Sequence, residues 1–325
     1  MDKRLLGRNH GLPTRDMAKA GHFAMLRMLR RREASFETVA AITDRFRLFA
    51  KDAKSRGVKG LRDVTREFVT LVWGGEVRAR LNRGEISIAY AHALVSAVNT
   101  VMIEARCGNW RSVSPKMDVG LPRRSYLRTE RPDGFNREDV EKAVEALRDQ
   151  GHILVVAGVL LMRYLRLRSK EAFLLDARLA YQEALRTGRV TITSGTKGGR
   201  PRTLAVDAPD KLEALRVAAG VQEPGAHSMV PSGLTWVQWR EGGLRAGRDA
   251  LKALGIRGFH VLRAAGACAH YLEVTGYLPP VFGGPRPPRA LHVKGSTAVS
   301  EELGHNRPQV FPAYGGGWVR VWGKR

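Results

Sequence analysis

From Ser35 to about Arg106, apolar residues recur every three or four positions. Val39, Ile42, Phe46 and Phe49 form one stripe behind Ser35. Asp63-Val-Thr opens a second that carries Phe68, Leu71 and Val72, and Ser87 opens a third with Tyr90, Leu94, Val98 and Met102. Residues at that spacing share one helix face, and Ser or Asp at the start supplies an N-cap, so the pattern predicts a small helical bundle. The stretch 1–32 is basic, with a short helix expected from Asp16 through Arg32 and the cluster Arg30-Arg31-Arg32 at its end. That cluster reads equally as a phosphate contact or a solvated helix end.

The periodicity stops between 108 and 134, where Gly108, Pro115, Gly120, Pro122, Pro132 and Gly134 alternate with arginines and lysines. Proline and glycine without a period predict a linker. Its positive charge suggests a path along a phosphate backbone. Asn136 then stands at a helix start with Glu138, Asp139 and Glu141 behind it, where negative charge suits the helix dipole. An apolar helix is expected over 151–165. Two β-branched runs, 188–193 and 200–206, flank the glycine-rich turn 194–199 and predict a β-hairpin. Helices are expected again over 209–219, 233–254, 260–275 and 296–304. The fold class is therefore mainly α with a small β-hairpin. The expected organisation is a basic segment 1–32, a helical domain 33–107, a basic linker 108–134 and a second domain 135–325.

Charge adds the partner class. The chain has 325 residues, with 55 Lys+Arg against 31 Asp+Glu and a net charge of +24. The excess is spread over both halves rather than confined to a tail. Two basic domains in tandem suit a polyanion such as double-stranded DNA, although charge alone also fits a ribosomal or other nucleic-acid-associated protein. Cys107 and Cys268 are too few for a disulfide framework or a cysteine-based zinc site and, among small or apolar neighbours, read as buried free thiols. No apolar leader follows Met1-Asp-Lys-Arg, and Ile153–Met162 is too short to span a bilayer. A cytoplasmic protein with no membrane partner is expected.

Candidate chemistry gathers in the last quarter. His260 and Arg263 lie three apart on one expected helix face. Leu303-Gly304-His305 follows, and Tyr314 comes nine residues after His305. Cations beside a tyrosine are what phosphoryl transfer from DNA to a protein hydroxyl needs. Tyr271 and Tyr277 compete as nucleophiles. Tyr271 reads as core, and Tyr277 precedes Pro279-Pro280 without a suitably spaced histidine. Taken singly, each histidine reads as a satisfied core or surface residue.

This ordered set resembles the C-terminal boxes of the tyrosine recombinases, the phage-integrase and Xer family, strongly over 135–325 and weakly over 35–106. The resemblance implies a two-domain DNA clamp, with a helical core-binding domain and a catalytic domain. It implies a first catalytic arginine at the end of the buried helix, with an acidic residue three positions later. Arg168 with Glu171 fits and Arg166 does not, although the family's usual Thr-Gly-Leu before that arginine is missing. It implies a catalytic lysine on the hairpin, here Lys197. Arg168 and Arg263 would clamp a phosphodiester with His260 and His305, Glu171 would orient Arg168, and Lys197 would be the general acid. Tyr314 would form a 3′-phosphotyrosyl link, its proton taken by a base such as His260. Arg123, Arg124, Arg128, Arg200 and Arg202 are expected to contact DNA. Neither metal nor other cofactor is implied.

The implied activity is site-specific recombination by a mobile-element integrase that acts as a dimer on one site and a tetramer in synapsis, with DNA-bending accessory proteins as further partners. Alternatives are Xer-type dimer resolution, strand transfer like that of type IB topoisomerases, or a non-catalytic DNA-binding derivative. Two departures stand out. A proline-rich stretch, 277–296, lengthens the interval between Arg263 and His305 and is expected to contact DNA or a neighbouring subunit. Trp318 and Trp322 read as an apolar peg for an adjacent protomer, or as residues folded back on their own domain.

Overall fold

The computed structural model describes residues 7–305 and 307–318. The chain divides into two compact units, Met1–Ser125 and Tyr126–Arg325.

The first unit is a helical bundle of α1 (Met17–Arg30), α2 (Phe36–Ser55), α3 (Gly74–Asn82) and α4 (Ile88–Ala105). Side chains of Asp16, Ser35 and Ser87 accept the amides of Lys19, Thr38 and Tyr90, so three of the four starts carry the N-caps that the sequence offers. A π-helical turn, Phe68–Trp73, leads into α3. The core is aromatic: Phe49 packs on Phe46, Phe68 and Trp73 at ring separations of 5.4, 6.2 and 5.6 Å. Met17, Ala20, Ala24 and Met25 of α1 lie in that same core, so the helix within 1–32 packs as part of the bundle. α4 is apolar and long enough to cross a membrane by length and composition, but Leu94, Val95, Val98 and Met102 are buried within the unit.

The stretch 108–134 does not stand as one linker. Trp110, Val113, Val119 and Leu121 are buried in the bundle core. Asn99 binds this segment to α4, accepting from the Trp110 indole at 3.1 Å and the Val113 amide at 2.9 Å while donating to the Val113 carbonyl. Arg111, Pro115, Lys116 and Gly120 between these apolar residues mask their packing in a composition-based reading. The division between units falls after Ser125.

The second unit contains α5 (Arg137–Asp149), α6 (Ile153–Tyr164), α7 (Ser169–Phe173) and α8 (Ala177–Thr187), then β1 (Arg189–Ile192) and β2 (Arg202–Ala205). α9 (Pro209–Val221), α10 (Trp236–Glu241), α11 (Gly243–Ala253), α12 (Phe259–Thr275), α13 (Arg289–Glu302) and α14 (Pro312–Gly315) complete it. Asn136 occupies the N-cap of α5 but makes no side-chain capping bond, leaving Glu138 and Asp139 to meet the dipole. β1 and β2 pair antiparallel, Arg189 opposite Ala205 and Ile192 opposite Arg202, which gives the expected hairpin. α6 is buried, and Val155, Leu161, Phe173, Leu215, Trp239 and Leu262 pack in one core around it. The expected helix over 296–304 begins earlier, at Arg289, because Pro288 stands just ahead of the first turn, where a missing amide costs nothing. The last eight residues of the proline-rich stretch are therefore helix. Its remainder includes a single helical turn, Pro280–Phe282.

Candidate active site

Arg168 sits at the entry to α7, and Glu171 lies one turn along. The Glu171 carboxylate accepts the Arg168 backbone amide at 2.7 Å and its guanidinium at 2.5 Å. It also receives both terminal nitrogens of Arg202, at 2.6 and 2.7 Å, and lies 3.6 Å from Arg263. Glu171 is fully buried. Burial alone raises a carboxyl pKa, but the Arg202 bonds and the Arg168 contacts outweigh it and hold Glu171 at about 2. One buried carboxylate thus gathers three arginines.

Arg202 was expected to contact DNA, and the structure turns it inward to Glu171. The β-hairpin explains this: Leu204 faces the core, and the two-residue period puts Arg202 on the same face. Arg200, in the turn ahead of β2, is exposed, as are Arg123 and Arg124 in the first unit. Arg128 is half-buried. Its backbone amide donates to the Pro312 carbonyl, and its charge acts on His260.

Arg263 extends from α12 and is 1% exposed. One terminal nitrogen donates to the Arg166 carbonyl and the other to the Leu303 carbonyl at 2.8 Å. Desolvation, reinforced by the like charge of Arg168, lowers its pKa to about 10, which still leaves it cationic at neutral pH. His260, at the start of α12, is exposed. Partial desolvation and the charges of Arg263, Arg128 and Arg168 lower its pKa.

His305 follows Gly304, whose φ of +70° is a left-handed turn that glycine adopts without strain. A side chain there would also meet Arg202 Cδ at 2.7 Å. The His305 Nε2 lies 3.0 Å from the Tyr314 hydroxyl. Burial, then the charges of Arg168, Arg263, Lys197 and Arg202, push the His305 pKa down to about 4. A neutral imidazole is the form that can accept the phenolic hydrogen bond.

Tyr314 lies on α14, 6% exposed. Its ring sits 5.9 Å from the Arg263 guanidinium and 5.9 Å from the His260 ring. Two contacts fix its helix against the rest of the unit: Phe311 stacks on Tyr271 at 4.6 Å, and the Cys268 thiol donates to the Tyr314 carbonyl at 3.6 Å. Tyr271 is buried, and its hydroxyl meets His292 Nδ1 at 2.8 Å. Leu167, Arg168, Ser169, Phe259, His260, Arg263 and Tyr314 line a cavity of about 220 Å³. A larger groove of about 760 Å³ in the first unit brings together cations and apolar side chains without a nucleophile, so size does not select the site.

Of the six candidate residues, Arg168, His260, Arg263 and Tyr314 line that cavity, and His305 joins them through the Tyr314 hydroxyl. Lys197 is exposed at the hairpin tip, and its charge is one of those acting on His305. Among the described residues, no group of acidic, histidine or cysteine side chains is placed to hold a metal.

The sequence profile of the integrase family matches residues 127–269, the part of the chain that carries Arg168, Lys197, His260 and Arg263. Over those residues the chain is similar to the integrase family. Its fold matches that of solved integrases and recombinases. A lambda integrase tetramer bound to a Holliday junction is 15% identical, with a TM-score of 0.59 over 93% of this chain and 79% of that one. A lambda integrase segment bound to DNA is 14% identical, with a TM-score of 0.57 over 95% and 100%. The XerH site-specific recombinase in a pre-cleavage complex with its difH substrate is 16% identical, with a TM-score of 0.54 over 91% and 82%. No curated protein matches the sequence.

Within this integrase fold, sequence reading missed the holding residues rather than the candidates themselves. Arg202 was placed on DNA instead of on Glu171. Arg166, set aside as off-register, is buried against Glu302, and its carbonyl holds Arg263. Trp318 is half-buried, while Trp322 lies outside the described residues.

Proposed function

We propose that this chain is a site-specific DNA recombinase that cuts and rejoins duplex DNA through a covalent 3′-phosphotyrosyl intermediate, as the integrase of a mobile element. The observation that carries the reading is the Tyr314 hydroxyl, 3.0 Å from the neutral His305, on the wall of a cavity that also presents Arg168 and Arg263.

The phosphodiester enters beside Arg168, the more exposed of the two arginines, and Tyr314 shifts to uncover Arg263. Two guanidinium groups then neutralise the charge that develops on the non-bridging oxygens; fixed donors of this kind each contribute on the order of 10²–10³ in rate. The phenol oxygen attacks phosphorus, and its proton passes to His305 rather than to His260. The bond from phosphorus to the 5′ oxygen breaks, and Lys197 protonates that oxygen as general acid. Reversal with a different 5′-hydroxyl rejoins the strand, so bond energy stays in the phosphotyrosyl link. His260 contributes a hydrogen bond to the phosphate. The partners proposed are double-stranded DNA carrying recombination sites and further copies of this chain, two on a site and four in synapsis.

The test is incubation with nicked duplexes tiled across the DNA that flanks the coding sequence. The expected result is a protein–DNA adduct, mapped by mass spectrometry to Tyr314.

A further inference from the structure

We propose that Arg166 and Glu302 form a staple that positions Arg263, a role that rests on the reading of Arg263 as a phosphate clamp. Arg166 follows α6 with φ of +56°, a left-handed conformation that is unfavourable for a non-glycine residue. Glycine would adopt it freely, so the arginine side chain must return something to hold that position. It does so by pairing with Glu302: Nε donates to Oε2 at 2.7 Å, and Nη2 lies in ion-pair contact with Oε1 at 2.5 Å. The Arg166 side chain is 4% exposed and that of Glu302 11%, where a charge-assisted hydrogen bond is strong and geometrically exacting.

The consequence runs through the backbone. The carbonyl of Arg166 itself accepts from one terminal nitrogen of Arg263. The carbonyl of Leu303, the residue after Glu302, accepts from the other at 2.8 Å. The 166–302 ion pair therefore ties together the two chain segments whose carbonyls grip the Arg263 guanidinium. Glu302 is held in turn by Lys211 of α9 at 2.9 Å and His270 of α12 at 3.3 Å. Gly266, one turn beyond Arg263 on α12, makes the approach possible. A Cβ there would stand 2.2 Å from the Arg163 carbonyl and 2.9 Å from Arg166 Cγ.

Neither Arg166 nor Glu302 lines the cavity itself, and each acts through Arg263, so they are positioning residues. The test uses the full chain with two readouts. The first is ¹⁵N NMR of the arginine side chains, where a guanidinium held at both ends shows separate, slowly exchanging Nη signals. The second is single-turnover adduct formation at saturating nicked duplex, with DNA affinity measured in parallel.

Glu302→Gln and Arg166→Lys keep the size of the site but lose the charge or the guanidinium. In each, the Arg263 Nη signals should merge, and adduct formation should slow on the order of 10–100-fold, the cost of a small misplacement of a reacting group. DNA affinity should stay within about twofold, because neither side chain faces the cavity. The double variant should be no slower than the slower single, since both break one staple. Unchanged Arg263 signals in the variants, or losses that multiply in the double, would overturn the proposal. Should Glu302→Gln fail to fold, Arg166→Lys decides alone. If the wild-type chain makes no adduct on any duplex, the recombinase reading fails, while the NMR signals still judge the staple.

Discussion

The Tyr314 hydroxyl and the His305 imidazole meet at 3.0 Å, while the tyrosine ring lies 5.9 Å, centre to centre, from both His305 and His260. Equal ring distances thus hide unequal roles. His305 is oriented to the oxygen, and His260 flanks the ring from the start of α12. Replacing His305 with Ala should slow adduct formation by about 10²–10⁴-fold at neutral pH, the usual contribution of a positioned base. His260→Ala should do less, and a larger loss at His260 would reverse the assignment.

Arg263 is too deeply built in for a clean alanine test. It is among the largest fully buried side chains, and truncation leaves a cavity and two unpaired carbonyls. Arg263→Ala should cost roughly 2–5 kcal/mol of stability as well as activity. Arg263→Lys keeps the charge but not the double grip. It should stay folded by circular dichroism and still lose cleavage by about 10²-fold or more. Wild-type rates in the lysine variant would remove Arg263 from the clamp.

The two arginines flanking Pro201 should behave in opposite ways. Arg200 is exposed, so Arg200→Ala should weaken DNA binding and flatten the salt dependence by about one phosphate contact, a change near 0.9 in the slope of log K against log salt. Arg202 is bound to Glu171. Arg202→Ala should leave that slope alone, lower the thermal midpoint and slow cleavage. The slope from salt titrations separates the two.

Acid should loosen this unit from two directions. His305 has a folded pKa of about 4 against about 6.5 when unfolded, so the unfolded chain binds the extra proton between those values. Its contribution is complete above about pH 6.5 and is lost as pH falls toward 4. Glu171, at about 2 against about 4.5, contributes above pH 4.5 and loses that contribution below it. Thermal midpoints should therefore fall steadily below pH 6.5. His305→Gln should flatten the upper part of that decline and Glu171→Gln the lower. A midpoint that rises on acidification would contradict both assignments.

How much of this was legible in the sequence follows from the range of each interaction. The Arg168–Glu171 pair spans three positions on one short helix, and helical spacing alone brings such residues together. The hairpin was legible because β-branched runs flank a glycine turn, yet its inward period was not carried through to Arg202. Arg166 and Glu302 are 136 positions apart, and nothing local predicts their meeting. α8 escaped notice although Asp176 caps it on Leu179, because its buried positions are small alanines. The first half of 108–134 was misjudged for the opposite reason. Its buried Trp110, Val113 and Leu121 are scattered among polar residues, proline and glycine, and Asn99 on a neighbouring helix reveals why they are ordered.

The most direct measurement is adduct formation by the wild-type chain and its Tyr314→Phe variant on nicked duplexes from the flanking DNA. The account predicts a covalent complex for the first, with the DNA 3′ phosphate on Tyr314, and none for the second despite equal DNA affinity. A covalent complex that persists in Tyr314→Phe, or maps to another residue, would contradict it.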